Sequence, residues 1–180
     1  MAPLEPGDAF PNLRLQSPEG RIELRDRWRE GPVVVMFMRH FGCPFCREHL
    51  MNMGAALPRF EAAGAQLVAI FQYGADATQA FCDSRNVPFD CLGDPLREAY
   101  DEVSLGRATR KQLLSWRIAS SYVRHARNGN LAVTAKGGDY MQLPGTFVVA
   151  TDGRLTFAHY NDSSADNPPV ESVLDALRGP

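Results

Sequence analysis

The chain has 180 residues and a formal net charge of −2, which suits one domain and excludes a nucleic-acid binder that works by bulk positive charge. No apolar run is long enough to span a membrane. With 44% hydrophobic and 22% charged residues, a chain of this size buries about two-thirds of its unfolded surface and needs no disulfide staples. The opening MAPLEPGDAFPNLRL has no basic region followed by an apolar one, so it does not read as a secretory signal and a cytoplasmic location is expected. Val33-Val34-Val35-Met36-Phe37-Met38 is a near-continuous apolar run, the mark of a buried parallel strand. From Pro44 to about Ala63 the spacing of Leu50, Met53, Leu57 and Phe60 predicts a helix. Residues 66–71 read as a second buried strand, and 76–86 as a helix with Asp76 as N-cap. Phe89 to Leu92 reads as a short strand, and Pro95 to Val103 as a helix with proline in its first turn. Residues 146–150 and 155–159 flank the turn Asp152-Gly153 and predict a hairpin. Pro168 to Leu177 predicts a last helix. This order implies an α/β fold, a mixed central sheet with helices on both faces.

The dithiol sequence Cys43-Pro44-Phe45-Cys46 lies where the first buried strand ends and a helix begins. Cys43 falls at the N-cap, Pro44 at the first helical position and Cys46 in the first turn. Free N–H groups and the helix dipole there favour a thiolate, which makes Cys43 the nucleophile and Cys46 the sulfur that closes the disulfide. In a reducing compartment such a pair is more often catalytic or metal-binding than structural. A zinc site would want two further ligands, and there is no second CxxC; His40 and His49 are near in sequence but would need another ligand from elsewhere. No metal and no cofactor is therefore expected. The remaining reading is a pair of inert core cysteines.

Arg39 reads either as a cation beside the thiolate or as a surface residue at a strand end. Pro144, in Leu143-Pro144-Gly145-Thr146-Phe147, precedes a strand; an ordinary trans turn is favoured on local pattern. Cys82 and Cys91 read as core thiols, with a resolving role or an oxidised dimer as the alternative. His40, His49, His125 and His159 follow no ligand spacing, and Asp139 and Asp162 read as solvated turn residues. From Val103 to Gly138 the chain carries seven basic residues, Arg107, Arg110, Lys111, Arg117, Arg124, Arg127 and Lys136, and no acidic ones. A packed helix with a solvated basic face is favoured there over a patch that attracts an anionic partner.

Five segments carry a family resemblance. Pro6-Gly7-Asp8-Ala9-Phe10-Pro11-Asn12-Leu13 resembles the opening of peroxiredoxins. Gly93-Asp94-Pro95-Leu96-Arg97-Glu98-Ala99-Tyr100 is similar to their strand-to-helix segment, and Leu143 to Val149 with Asp152-Gly153-Arg154 to their cis-proline strand and turn. With FMRHFGCPFCREHL and the tail FAHYNDSSADNPP, these identify the chain as a member of the alkyl hydroperoxide reductase/thiol-specific antioxidant superfamily, in its peroxiredoxin-like CxxC branch. The resemblance implies one thioredoxin-like, peroxiredoxin-type domain over 1–180, with an N-terminal extension 1–31 and a basic insertion at about 104–138. It implies a cis Pro144 beside the dithiol, and the site residues Cys43, Cys46, Arg39 and Pro144. It also implies antioxidant peroxide reduction through a Cys43–Cys46 cycle, restored by an external thiol or dithiol such as thioredoxin or glutathione. One departure stands out: typical peroxiredoxins carry Pro-x-x-x-Thr-x-x-Cys, whereas Met36 and His40 occupy those positions ahead of Cys43. This leaves disulfide exchange open as the reaction, and a non-enzymatic redox-sensing or partner-binding module as the alternative class. No nucleic-acid or membrane partner is expected, and a homodimer is left open.

Overall fold

The computed structural model describes residues 2–109 and 138–178. Seven strands form one mixed sheet: β1 (Arg14–Ser17), β2 (Gly20–Glu23), β3 (Val33–Phe37), β4 (Gln66–Phe71), β5 (Asp90–Gly93), β6 (Gly145–Val149) and β7 (Leu155–Tyr160). Their order across the sheet is β2-β1-β5-β4-β3-β6-β7. The apolar strands β3, β4 and β5 run parallel in the centre, and β6 returns antiparallel beside β3, pairing Phe37 with Gly145.

Continuous apolar runs are needed here because both faces of these strands are buried. Val34, Met36, Leu67, Ala69, Phe71 and Val148 face one core. Val33, Val35, Phe37, Val68, Ile70, Phe147 and Val149 face the other. Helices α2 (Pro44–Ala55), α3 (Leu57–Ala62), α4 (Ala75–Asp83) and α6 (Val170–Ala176) supply Leu50, Met53, Phe60, Cys82 and Val173 to the first core. Helices α1 (Arg25–Trp28) and α5 (Glu98–Glu102) close the second with Trp28, Ala99 and Tyr100. Tyr100 is fully buried, and its single hydroxyl proton is shared between the carbonyls of Met38 at 2.6 Å and Ile70 at 2.9 Å. It thereby ties these two carbonyls together at the point where the chain leaves β3 for the dithiol.

Several expected boundaries move. The single helix predicted from Pro44 to Ala63 is two, broken at Ala56, because Pro58 has no N–H for the preceding turn and its ring clashes with that turn's carbonyl. Gly74, not Asp76, is the N-cap of α4; Asp76 lies in its first turn. Helix α5 starts at Glu98 rather than Pro95, since Arg97 adopts a left-handed conformation (φ 61°) and the Asp94 carboxylate accepts the amides of Glu98 and Ala99. Gly93 ends β5 under the start of α4, where a Cβ would meet the Tyr73 carbonyl at 2.5 Å. The hairpin β1–β2, unforeseen in the sequence, pairs through Gln16 with Gly93 and builds the N-terminal residues into the sheet. The expected basic helix of the insertion lies outside the described residues, as do His125 and all its basic side chains except Arg107.

Candidate active site

Beyond β3 the Met38 amide still donates to the Ile70 carbonyl, at 2.8 Å, and the chain then turns. The Cys43 amide closes that turn on the His40 carbonyl at 3.0 Å. Cys43 is the N-cap of α2, with φ −75° and ψ 112°, and Pro44 follows in the first helical turn, as its spacing predicts. Both thiols are free and deeply buried, at 0% exposure for Cys43 and 3% for Cys46.

Arg39 is turned inward and is only 4% exposed, which discards the surface reading. Its Nη1 donates to Cys43 Sγ at 3.7 Å, its Nε to the Gln142 carbonyl at 2.8 Å, and its Nη2 to the Tyr140 carbonyl. The planar guanidinium can serve all three because its donors form a fixed fork. Burial pushes the Cys43 thiol up, but the Cys46 thiol, the Arg39 charge and the Cys46 amide outweigh it and bring its pKa down to about 6. Cys46 moves the other way: burial, and then the hydrogen bond and charge of its Cys43 neighbour, push it well above an ordinary thiol. The environment therefore makes one thiol of the pair distinctly more acidic than the other. Because Cys43 is held below an ordinary thiol, its thiolate predominates above about pH 6 and is lost as pH falls through that value. A titration of the reduced protein followed by ultraviolet thiolate absorbance should show one transition near pH 6, absent in Cys43→Ser; a first transition near pH 9 would refute the assignment.

A second layer holds Arg39. Asp139, expected as a solvated turn residue, is instead enclosed and paired with Arg97 at 2.5 Å and Arg107 at 2.7 Å. Its amide donates to Gln72 Oε1 at 2.8 Å. Gln142 donates through Nε2 to the carbonyls of Gly106 at 3.1 Å and Leu143 at 3.2 Å. These bonds fix residues 138–143 so that the carbonyls of Tyr140 and Gln142 face the guanidinium. Sequence reasoning passed over Gln72 and Gln142, and nothing local marks them.

Pro144 follows this segment. One step along the β3–β6 register it lies opposite Met38, at the end of β3 that leads to the dithiol. Its peptide bond is trans, correcting the cis bond that the resemblance implied. The trans amide is the intrinsic preference even before proline. Here the Leu143 amide is engaged by the Gly106 carbonyl at 3.0 Å and the Pro144 carbonyl by the Asn161 amide at 3.3 Å, so the extended trans chain runs directly into β6.

Cys82 and Cys91 are core residues as expected, at 2% and 4% exposure, but they are not spare thiols. They form a disulfide between α4 and β5, with Cα atoms 6.7 Å apart, so neither resolves Cys43 while that bond stands. His49 shares a 3.3 Å contact with Thr146 Oγ1, and burial, helped by the His159 charge, lowers its pKa to about 4. His159 contacts the Asp166 carbonyl at 2.7 Å. Among the described residues no three His, Cys, Asp or Glu side chains gather in a metal-binding arrangement, and no helix is long and apolar enough to cross a membrane.

Comparison with known proteins agrees with this architecture. The family model described as AhpC/TSA antioxidant enzyme matches residues 52–163, a span that begins downstream of Cys46. The chain is 30% identical to prostamide/prostaglandin F synthase of Danio rerio, over 87% of this chain and 79% of that protein. It is 27% identical to peroxiredoxin-like 2C of Homo sapiens, over 87% and 73%. Among solved structures, reduced Prx3 from Vibrio vulnificus superposes with a TM-score of 0.71 at 15% identity, covering 97% of this chain and 99% of that one.

Proposed function

Because the chain belongs to the AhpC/TSA antioxidant enzyme family and is a thiol-dependent oxidoreductase, we propose that it reduces peroxides through a Cys43–Cys46 cycle. The observation that carries this reading is the Arg39 guanidinium on the Cys43 sulfur at a helix N-terminus, with Cys46 one turn further on. The Cys43 thiolate attacks one peroxide oxygen, an S–O bond forms and the O–O bond breaks. The departing hydroxide or alkoxide takes a proton and leaves as water or an alcohol. Cys46 then attacks the Cys43 sulfenic acid and releases water, leaving the Cys43–Cys46 disulfide. An external thiol or dithiol of the glutathione or thioredoxin type returns it to two thiols. That requirement favours a reducing compartment such as the cytoplasm.

Thiol–disulfide exchange is the second reading, and the CxxC sequence favours it. The complete burial of Cys43 weighs against it. A protein disulfide must bring its sulfur in line with the attacking thiolate, whereas hydrogen peroxide needs room for two oxygen atoms. Stopped-flow oxidation of the reduced protein separates the two. Hydrogen peroxide should consume the Cys43 thiolate about 10²-fold faster or more than it consumes free cysteine thiolate, since positioning is what accelerates the attack. A peroxide rate equal to free cysteine, with a fast reaction toward a disulfide, would move the protein to disulfide exchange.

A further inference from the structure

His40 carries an unexplained polar atom beside the dithiol. The residue is only 7% exposed, and its Nδ1 is enclosed with no hydrogen-bond partner among the described residues. Burying such an atom unpaired costs free energy, and in a folded protein it asks for a reason. Ser104 Oγ, Thr156 Oγ1 and Asn161 Oδ1 are also enclosed without a partner among the described residues, and they belong to other parts of the chain. The ring is neutral near pH 7: burial, with the Arg39 charge, lowers its pKa to about 4. A neutral imidazole has one N–H to give and one lone pair to accept with.

The place of this residue is specific. His40 and Cys43 close a single turn, through the Cys43 amide and the His40 carbonyl. The His40 ring packs 4.4 Å from the Tyr140 ring, and the Arg39 guanidinium joins the Tyr140 carbonyl to Cys43 Sγ. The His40 ring and the Arg39 guanidinium thus both meet Tyr140 at the end of β3, and the guanidinium reaches on to the sulfur. Arg39 already spends donors on two carbonyls and the sulfur. Three of its five N–H donors are thus committed, and a further donor on a second residue would hold a substrate oxygen from another direction.

We propose that His40 is a peroxide-binding residue, whose Nδ1–H takes the departing oxygen of the substrate as its missing partner. The inference rests on the reading that Cys43 attacks a peroxide. As the thiolate forms its bond to the nearer oxygen, the O–O electron pair passes to the far oxygen, which becomes hydroxide or alkoxide. Cys43 is oxidised to the sulfenic acid and the peroxide is reduced. Nδ1–H donates a hydrogen bond to the growing charge and transfers no proton; the proton comes from solvent. The substrate class is hydrogen peroxide and small hydroperoxides.

Three variants test this. His40→Asn keeps an amide nitrogen close to the position of Nδ1, His40→Gln carries it one bond further out, and His40→Leu removes it. Each is reduced and read twice, by stopped-flow oxidation with hydrogen peroxide and by ultraviolet titration of the thiolate. His40→Leu should slow oxidation by about tenfold to a hundredfold while the Cys43 midpoint stays at its wild-type pH. His40→Asn should recover most of the rate, and His40→Gln less. If His40→Leu does not fold, the order of Asn above Gln still decides. An unchanged rate in His40→Leu overturns the proposal, as does a rate loss matched by a shifted thiolate midpoint, or an Asn variant as slow as Gln. A wild-type protein no faster than free cysteine overturns the peroxidase reading and this one with it. A fast wild type with an unaffected His40→Leu overturns this one alone.

Discussion

Cys43→Ser is expected to abolish peroxide turnover, by about 10³-fold or more, because a serine hydroxyl is not ionised at neutral pH and is a far weaker nucleophile than a thiolate. Cys46→Ser should behave differently. It keeps the nucleophile and loses the sulfur that closes the disulfide. One equivalent of peroxide should be consumed per chain, after which the reaction stalls with Cys43 as a sulfenic acid. A sulfenic-acid trap followed by peptide mass spectrometry would locate it. The stalled variant should also react somewhat more slowly below pH 7, since the Cys46 thiol is a leading cause of the low Cys43 pKa. If Cys46→Ser turns over repeatedly with the same reductant as the wild type, Cys46 is not the resolving thiol. The disulfide at Cys82 and Cys91 cannot substitute for it.

Arg39→Met should cost both activity and stability. Without the guanidinium, burial of Cys43 is opposed by Cys46 alone, so the thiolate midpoint moves up from about 6 toward that of an ordinary thiol. The peroxide rate at neutral pH should fall about 10²-fold, combining a smaller thiolate fraction with the loss of a positioned cation. The carbonyls of Tyr140 and Gln142 lose their donor at the same time. Two buried acceptors left unpaired imply a destabilisation of about 2–4 kcal/mol, measurable by denaturant titration. Arg39→Lys should fall between the two. An ammonium preserves the charge but cannot present a planar fork to two carbonyls and a sulfur at once. A thiolate midpoint unmoved in Arg39→Met would remove Arg39 from the activation of Cys43.

The dithiol was legible because its signals are local. An apolar run that stops, then cysteine and proline, marks a strand end and a helix start within a dozen residues. The break ahead of Pro58 is equally readable, since a proline inside a helical pattern outweighs the apolar spacing on either side. The support of Arg39 was not readable. Gln72 and Asp139 are 67 residues apart, and Arg39 and Gln142 are 103 apart. No local pattern reports contacts that only the packed sheet brings together. Asp139 looked like a solvated turn residue because the Arg97 and Arg107 side chains that enclose it come from a different stretch of chain. The Cys82–Cys91 link was hidden for a related reason: the pairing of cysteines does not follow from their spacing. Pro144 shows the opposite error, a family expectation of a cis bond set against an extended trans chain.

The two cysteine pairs of this molecule cannot be told apart by exposure. All four sulfurs belong to residues between 0% and 4% exposed, so a reductant reaches either pair only through a local opening of the fold. The openings differ in cost. Cys43 and Cys46 occupy a turn and the first coil of a helix beyond the end of β3, where a frayed helix end frees them. Cys91 is a ladder residue opposite Ala69, in a strand flanked by β4 and β1. Freeing Cys91 means peeling β5 from its neighbours, while Cys82, in the last turn of α4, stays buried at 2% exposure and tethered to that strand. In the proposed cycle, a thiol that regenerates the first pair can therefore leave the second untouched. The discrimination lies in the free energy of opening, with the sheet acting as the filter.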